Sequence, residues 1–156
     1  MKKTIQVIAL ILTTIFIAGC SENADEAEYL GGRTAEERDA VHIDIDLSWL
    51  SVTVLSAEVT NIYNNGRDNL GKTIRVKGTY DGLYHTQLNM IIHFILTFAD
   101  ECCREGFEIR WSESNEPQDG FPPLGSFIEV DGVLRVHHDL GEPLLYLEVD
   151  EVFILR

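Results

Sequence analysis

Two eight-residue segments with the same pattern constrain the fold of this chain more than any other feature. Residues 71–78 read GKTIRVKG and residues 125–132 read GSFIEVDG, which share the frame G-x-x-I-x-V-x-G. The alternation of apolar and polar positions predicts a β-strand with one buried face. A glycine inside a strand often marks a bulge or a sharp bend. The polar positions are basic in the first segment and acidic in the second, so we predict that the two bent strands pair.

Three further strands are predicted from the rest of the chain. Residues 89–98 are almost entirely apolar, which indicates a strand covered on both faces. Residues 107–111 alternate, and a last strand runs through 144–155 after a turn at 139–142. The polar, proline-containing stretch 112–124 predicts a loop between the third and fourth strands.

One helix is predicted before the first strand. It runs from Asp46 to Asn65, with Asp46 or Ser48 as its cap and Asn65-Gly66 as its end. Its apolar positions recur at helical spacing: Val52, Leu55, Val59, Ile62 and Tyr63. The predicted fold is therefore mainly β: a five-stranded, OB-fold-like barrel, in which the first and fourth strands pair, with one N-terminal amphipathic helix packed on it.

Residues 66–73, GRDNLGKT, match the phosphate-binding pattern G-x-x-x-x-G-K-[ST]. That mechanism requires the loop to leave a strand and enter a helix, because the helix end and the loop amides then face the phosphate. Here a predicted helix precedes the motif and a predicted strand follows it. We therefore expect no nucleotide.

The N-terminus carries the marks of a secretory signal. Lys2 and Lys3 precede an apolar run, 7–18, that is too short to span a bilayer as a helix. The following Ile17-Ala18-Gly19-Cys20 resembles the lipobox of bacterial lipoproteins. The resemblance implies a diacylglyceryl group on the sulfur of Cys20 and cleavage after Gly19, and two acyl chains make a stable anchor.

This predicts three regions. Residues 1–19 are a lipoprotein signal peptide, 20–41 are the lipidated Cys20 and a disordered acidic linker, and 42–156 form the OB-like domain. The anchor places the domain at the bacterial cell membrane or outer membrane, on the non-cytoplasmic face. Which of the two membranes carries it stays open.

The charge of the chain limits its partners. The whole chain has a net charge of −14, and without residues 1–19, which hold two lysines and no acid, 10 basic and 26 acidic residues leave −16. Proteins neutralise nucleic acid with Lys and Arg, so we expect no nucleic acid. The same charge disfavours docking of the domain flat on an anionic membrane surface.

A wider resemblance rests on five features of the span from about Asp46 to Ile154. They are the acidic start with its amphipathic helix, the glycine frame 71–78, the apolar strand ending in Asp100-Glu101-Cys102-Cys103, the segment 106–109 (GFEI), and the second glycine frame. Together they resemble small bacterial lipoproteins with no established activity, and the OB-like domain of some two-subunit permease proteins. The resemblance implies the fold and an envelope or transporter partner, and it implies no reaction.

The cluster Asp100-Glu101-Cys102-Cys103 is the one candidate for chemistry. Thiolates bind Zn²⁺ or Cu(I), and His93 is among the histidines that could complete such a site, with His85, His137 and His138. Adjacent cysteines chelate poorly, because successive side chains of extended backbone point to opposite faces. Two alternatives remain: one cysteine packs as a small hydrophobe while the other sits in a turn, or the pair forms a redox-active vicinal disulfide.

No pattern of catalytic residues stands out, so we predict a binding protein and not an enzyme. The first hypothesis is a lipoprotein whose OB-like domain binds an envelope protein or peptide without a cofactor. The alternative is a metal-binding (Zn or Cu) or thiol-redox accessory lipoprotein that uses Cys102 and Cys103, with Asp100 and His93 nearby.

Overall fold

The computed structural model describes residues 28–30, 40–99, 103–113, 115, 117, 120–139 and 141–155. Over these residues the chain is mainly β, which confirms the predicted class. The elements are β1 (Glu28–Leu30), β2 (Ile45–Asp46), α1 (Val52–Asn64), α2 (Gly66–Asn69), β3 (Thr73–His85), β4 (Met90–Ala99), β5 (Arg104–Trp111), β6 (Phe127–His137) and β7 (Leu144–Ile154).

Each of the five long strands pairs with two others. The pairing follows the order β3-β4-β5-β7-β6 and returns from β6 to β3. The β5–β7 pair is parallel, and the other four pairs in this ring are antiparallel. The inward-facing side chains form one apolar core, which includes Ile74, Val76, Ile95, Phe107, Ile109, Val130, Leu134, Leu147 and Val149.

The predicted pairing of the two glycine segments is confirmed. Arg75 lies opposite Asp131 and Lys77 opposite Glu129 in the β3–β6 ladder. Arg75 Nε lies 2.7 Å from Asp131 Oδ1, and Lys77 Nζ lies 3.1 Å from Glu129 Oε2. Gly78 allows a close approach of two strands: a Cβ there would lie 2.4 Å from the carbonyl oxygen of Leu96, so only glycine allows β3 and β4 to come this near.

The helix begins later than predicted. Asp46 is the end of β2, which pairs in parallel with β3, and its carboxylate accepts hydrogen bonds from the backbone N–H (2.9 Å) and the hydroxyl (2.7 Å) of Ser48. This Asx turn replaces the predicted cap, because a side chain that bonds two residues ahead favours a turn over a helix. The helix α1 buries Leu55, Val59 and Ile62 in the core.

Polar contacts fix α1 at the end of the molecule that holds the β4–β5 turn. Ser56 and Thr60 both donate hydrogen bonds to the Glu105 carboxylate, at 2.5 and 2.9 Å. The Tyr63 hydroxyl donates to the carbonyl oxygen of Gly106 at 3.0 Å. The β3–β4 hairpin, residues 80–92, therefore projects from the opposite end of the strands.

The predicted disordered linker is wrong over three residues. Glu28–Leu30 form β1, which pairs antiparallel with Val152–Ile154 of β7. Backbone hydrogen bonds to a sheet edge do not depend on an apolar pattern, so the composition of the linker gave no sign of them. Residues 1–27, with the predicted signal and Cys20, and residues 31–39 lie outside the described part.

The segment that matches the phosphate-binding pattern has the order that the sequence predicts. The short helix α2 comes first, Lys72 Nζ donates to Asn69 Oδ1 at 2.8 Å, and β3 follows. The segment therefore lacks the strand-to-helix turn that a phosphate would require.

Candidate functional site

The strands β4 and β5 diverge at the end of the molecule opposite α1. Pairing between them begins at His93 and Ile109 and continues to Ala99 and Arg104. The first three residues of β4, Met90–Ile92, pair with β3 on their other side. A cleft of about 420 Å³ lies where the two strands separate, lined by residues of 90–93, 108–113 and Phe121.

Aromatic rings form the inner wall of this cleft. His93 lies opposite Ile109, so its ring faces the interior. There it packs against the tilted ring of Phe121 at 4.2 Å between centroids and meets the edge of Trp111 at 5.2 Å. Trp111 and Phe121 are 5.1 Å apart. Such packed rings give a rigid apolar surface at little entropic cost, which suits a binding site.

Tyr80 holds the His93 ring in position from inside the molecule. Its hydroxyl oxygen lies 2.6 Å from His93 Nδ1, and the two rings stack at 5.9 Å. Tyr80 is only 2% exposed, and burial raises the pKa of its phenol to about 12. The hydroxyl therefore stays protonated at neutral pH and can donate to His93.

The outer wall of the cleft is exposed and apolar. Met90 is 41% exposed and Ile91 is 46% exposed, so the predicted coverage of this strand on both faces is wrong at its first residues. The reason is geometric: the β3–β4 hairpin extends past the point where β5 leaves β4.

Charged side chains surround a buried histidine on the β5 side of the cleft. Arg110 Nε lies 2.5 Å from Glu108 Oε1, and Arg110 Nη1 lies 2.8 Å from Asp139 Oδ2. The guanidinium carbon of Arg110 lies 5.1 Å from the centroid of the Tyr146 ring. His137 Nε2 lies 3.1 Å from Glu108 Oε2 and 3.0 Å from Arg110 Nη2. Because Arg110 contacts both carboxylates, its positive charge offsets theirs.

The pKa of Asp139 provides a test of this cluster. The hydrogen bond from Arg110 holds the pKa of the Asp139 carboxyl below its ordinary value. A carboxyl whose pKa is lower in the folded than in the unfolded protein stabilises the fold at pH values above its unfolded pKa. This stabilisation is lost as the pH falls through the folded pKa. We expect Arg110→Leu to raise the Asp139 pKa toward its ordinary value, measured by NMR titration of the carboxyl carbon. An unchanged pKa would show that Arg110 does not control it.

The structure separates His93 from the cysteine cluster. Cys103 is exposed and precedes Arg104, which pairs with Ala99, whereas His93 lies six residues farther along β4. Six residues of strand span about 20 Å, so the structure does not bring His93 together with Cys103. Asp100 and Cys102 lie outside the described residues.

The described residues contain no group of three His, Cys, Asp or Glu side chains that could hold a metal ion. Of the other candidate histidines, His137 lies in the Arg110 cluster and His138 is exposed. Metal or redox chemistry at Cys102 and Cys103 stays a prediction.

The cleft has no signal in the local sequence pattern. The alternation of 107–111 correctly placed Trp111 on the same face as the buried Ile109, but the side on which β4 loses its partner is set by pairing between distant strands. Phe121 was assigned to a polar loop, although the following prolines restrict the chain there and could have indicated a fixed position.

No protein-family model matches this chain, and neither does any curated protein or solved structure at the threshold of these comparisons. Over the described residues, none of the helices has both the length and the apolar character needed to cross a membrane.

Proposed function

We propose that this chain is a lipoprotein of the bacterial cell envelope, anchored through lipid on Cys20 with its domain on the non-cytoplasmic face. Its domain is an OB-like barrel that binds an extended peptide segment of another envelope protein and catalyses no reaction. The lipobox-like Ile17–Cys20 supports the anchor. The wall of the cleft between β4 and β5 supports the binding function.

The strand order supports the OB-like assignment. Counting only the five long strands, the first pairs with the fourth, the third pairs in parallel with the fifth, and the ring of pairs closes. This is the order of the small Greek-key barrel called the OB-fold. Fold alone does not assign a ligand, so the argument for a peptide rests on the cleft.

The observation that carries the peptide assignment is the edge of β4. Met90–Ile92 pair with β3 on one side and face the cleft on the other, where β5 has turned away. A strand edge binds an extended peptide through main-chain hydrogen bonds, and neighbouring pockets receive alternate side chains. The His93, Trp111 and Phe121 rings provide an apolar pocket beside that edge.

The charge of the domain narrows the ligand further. A net charge of −16 for the chain from Cys20 onward repels nucleic acid, the ligand that many OB-folds bind. The cleft itself is mostly apolar, with Glu108, Arg110 and Glu113 along one side. We therefore expect selected peptides to be extended, to carry an aromatic or aliphatic anchor, and to include a basic residue that faces Glu113.

Selection from a random-peptide library tests this function. The lipidated full chain, reconstituted in vesicles, is used as bait, and the affinity of enriched peptides is measured for the parent and for Ile91→Ser. Because Ile91 is exposed, this change leaves the fold intact but removes apolar area from the cleft wall. We expect about a tenfold loss of affinity, which corresponds to about 1.4 kcal/mol.

Val54→Ser is the matched control, because Val54 is 47% exposed on α1 at the other end of the molecule. It should bind the same peptides as tightly as the parent. Failure to enrich any peptide, or equal binding by Ile91→Ser and Val54→Ser, would contradict the assignment of the cleft.

A further inference from the structure

Two segments at the end of the molecule that carries the β3–β4 hairpin lack charged residues. Residues 82–99 contain no Asp, Glu, Lys or Arg, and neither do residues 120–128. The chain as a whole has 26 acidic residues among 156. Two long uncharged segments meet at one end of an otherwise acidic protein. This indicates a surface that binds something other than solvent.

Three large apolar side chains project from this end without lining the cleft. Leu124 is 69% exposed, Leu83 is 60% exposed and Tyr84 is 56% exposed. Leu124 belongs to the loop but lies against the hairpin, since a Cβ on Gly82 would be 3.4 Å from its Cδ2 atom. We call Leu83, Tyr84 and Leu124 the tip surface. Leu83 and Tyr84 are consecutive in β3 and point to opposite faces of the hairpin, so both of its faces carry exposed apolar area at this end. Exposed apolar area of this kind marks an interaction site.

The pairing of β1 relates the tip surface to Cys20. Gly78, Ile128, Ile154 and Glu28 lie in one row across four neighbouring strands. Because β1 runs antiparallel to β3, the chain enters β1 at Glu28 from the same side toward which β3 continues past Gly78. The chain that leads back to Cys20 therefore leaves the domain on the side of the tip surface.

The distance from this row to the tip surface is within the reach of the chain between Glu28 and Cys20. Tyr84 lies six residues beyond the row of Gly78, or about 20 Å along the strand. Seven residues separate Cys20 from Glu28, and this length of chain spans at most about 29 Å. Cys20 and the tip surface can thus lie at the same distance from the row of Gly78. They must do so if one bilayer surface binds both.

We propose that the tip surface inserts into the bilayer to which Cys20 is attached. This inference rests on the lipid anchor of the proposed function. Tyr84 suits the membrane interface, where aromatic side chains with one polar atom are enriched, and Leu83 and Leu124 bury apolar area. The absence of carboxylates from these two segments avoids repulsion by anionic lipids. The tether raises the effective concentration of the bilayer, so a small surface is enough.

Docking of the tip surface has a consequence for the peptide site. The cleft shares Met90 and Ile91 with the same hairpin, so it opens close to the bilayer. Its ligand is then a segment of an envelope protein that lies near the membrane surface, rather than a peptide far from it.

Fluorescence quenching by brominated lipid tests the inference. The full chain is expressed in a bacterium that processes lipoproteins, its intact mass is measured, and it is reconstituted in phosphatidylcholine vesicles with or without bromine on the acyl chains. Leu83→Trp adds an indole at the tip surface, and Val54→Trp adds one at an exposed position on α1. We expect bromine to quench the added indole of Leu83→Trp at least about twofold more than that of Val54→Trp.

Each result has a distinct meaning. Equal quenching in a protein whose mass includes the lipid on Cys20 overturns the docking of the tip surface and leaves the anchor intact. An unmodified Cys20, or a retained leader, overturns the anchor and the docking together. Weak quenching accompanied by a dimer in sedimentation overturns the membrane as the occupant and assigns the tip surface to a second copy of the chain.

Discussion

Replacing Gly78 with alanine is expected to lower the free energy of unfolding by about 3 kcal/mol, which is large for the addition of one methyl group. The new Cβ would lie 2.4 Å from the carbonyl oxygen of Leu96 and 2.9 Å from Ile95 Cγ1. The first contact is with backbone that a hydrogen-bonded ladder holds in place, so it cannot be relieved by a change of rotamer. For a domain of this size the melting temperature should fall by about 12 °C, measured by circular dichroism.

Gly82→Ala on the same strand is the matched control. A Cβ at this position would meet Ile91 Cγ2 at 3.2 Å and Leu124 Cδ2 at 3.4 Å, and both are ends of side chains that can move. We expect a change of less than about 1 kcal/mol, because alanine also restricts the unfolded chain. Equal effects of the two substitutions would contradict the close approach of β3 and β4 at Gly78.

Replacing Arg110 with leucine is expected to cost about 3 kcal/mol of stability. The change leaves the Glu108 carboxylate, whose residue is 8% exposed, without its closest cation. Removing one partner of a buried ion pair is costly because the remaining charge is poorly solvated. Urea denaturation at neutral pH measures this loss directly.

Arg135→Leu provides a control with the same chemistry at an exposed position. Arg135 Nε lies 3.0 Å from Glu148 Oε2, but these side chains are 48% and 35% exposed. Surface pairs of this kind contribute about 0.2–1 kcal/mol. If Arg110→Leu were no more destabilising than Arg135→Leu, Glu108 would not depend on Arg110.

The glycine segments explain why much of the sheet could be predicted. Their alternation, their interior glycines and their opposite charges are all local in sequence, and together they specify which two strands pair. The alternation within the first segment correctly predicts that Ile74 and Val76 lie on the buried face. Long-range pairing followed from short-range patterns because the two strands carry complementary signals.

The remaining features depend on contacts that no local pattern records. The strand β3 continues seven residues past Gly78, the end of the first glycine segment, because its backbone pairs with β4 in the hairpin. The start of α1 was misplaced because Asp46 can cap a helix or close a turn, and pairing of β2 with β3 selects the turn. The cleft exists only where β5 leaves β4. The side chains of both strands there are of the same types as those that fill the core, so residue type does not distinguish the cleft from the core.

The most direct measurement of the central claim is the NMR structure of the domain with a peptide from the selection. The account predicts cross-strand contacts between backbone protons of the peptide and those of Met90–Ile92, with slowed amide exchange in that segment and an apolar peptide side chain against the ring of Trp111. Contacts confined to another surface, such as the groove between α2 and the β6–β7 turn, would contradict it.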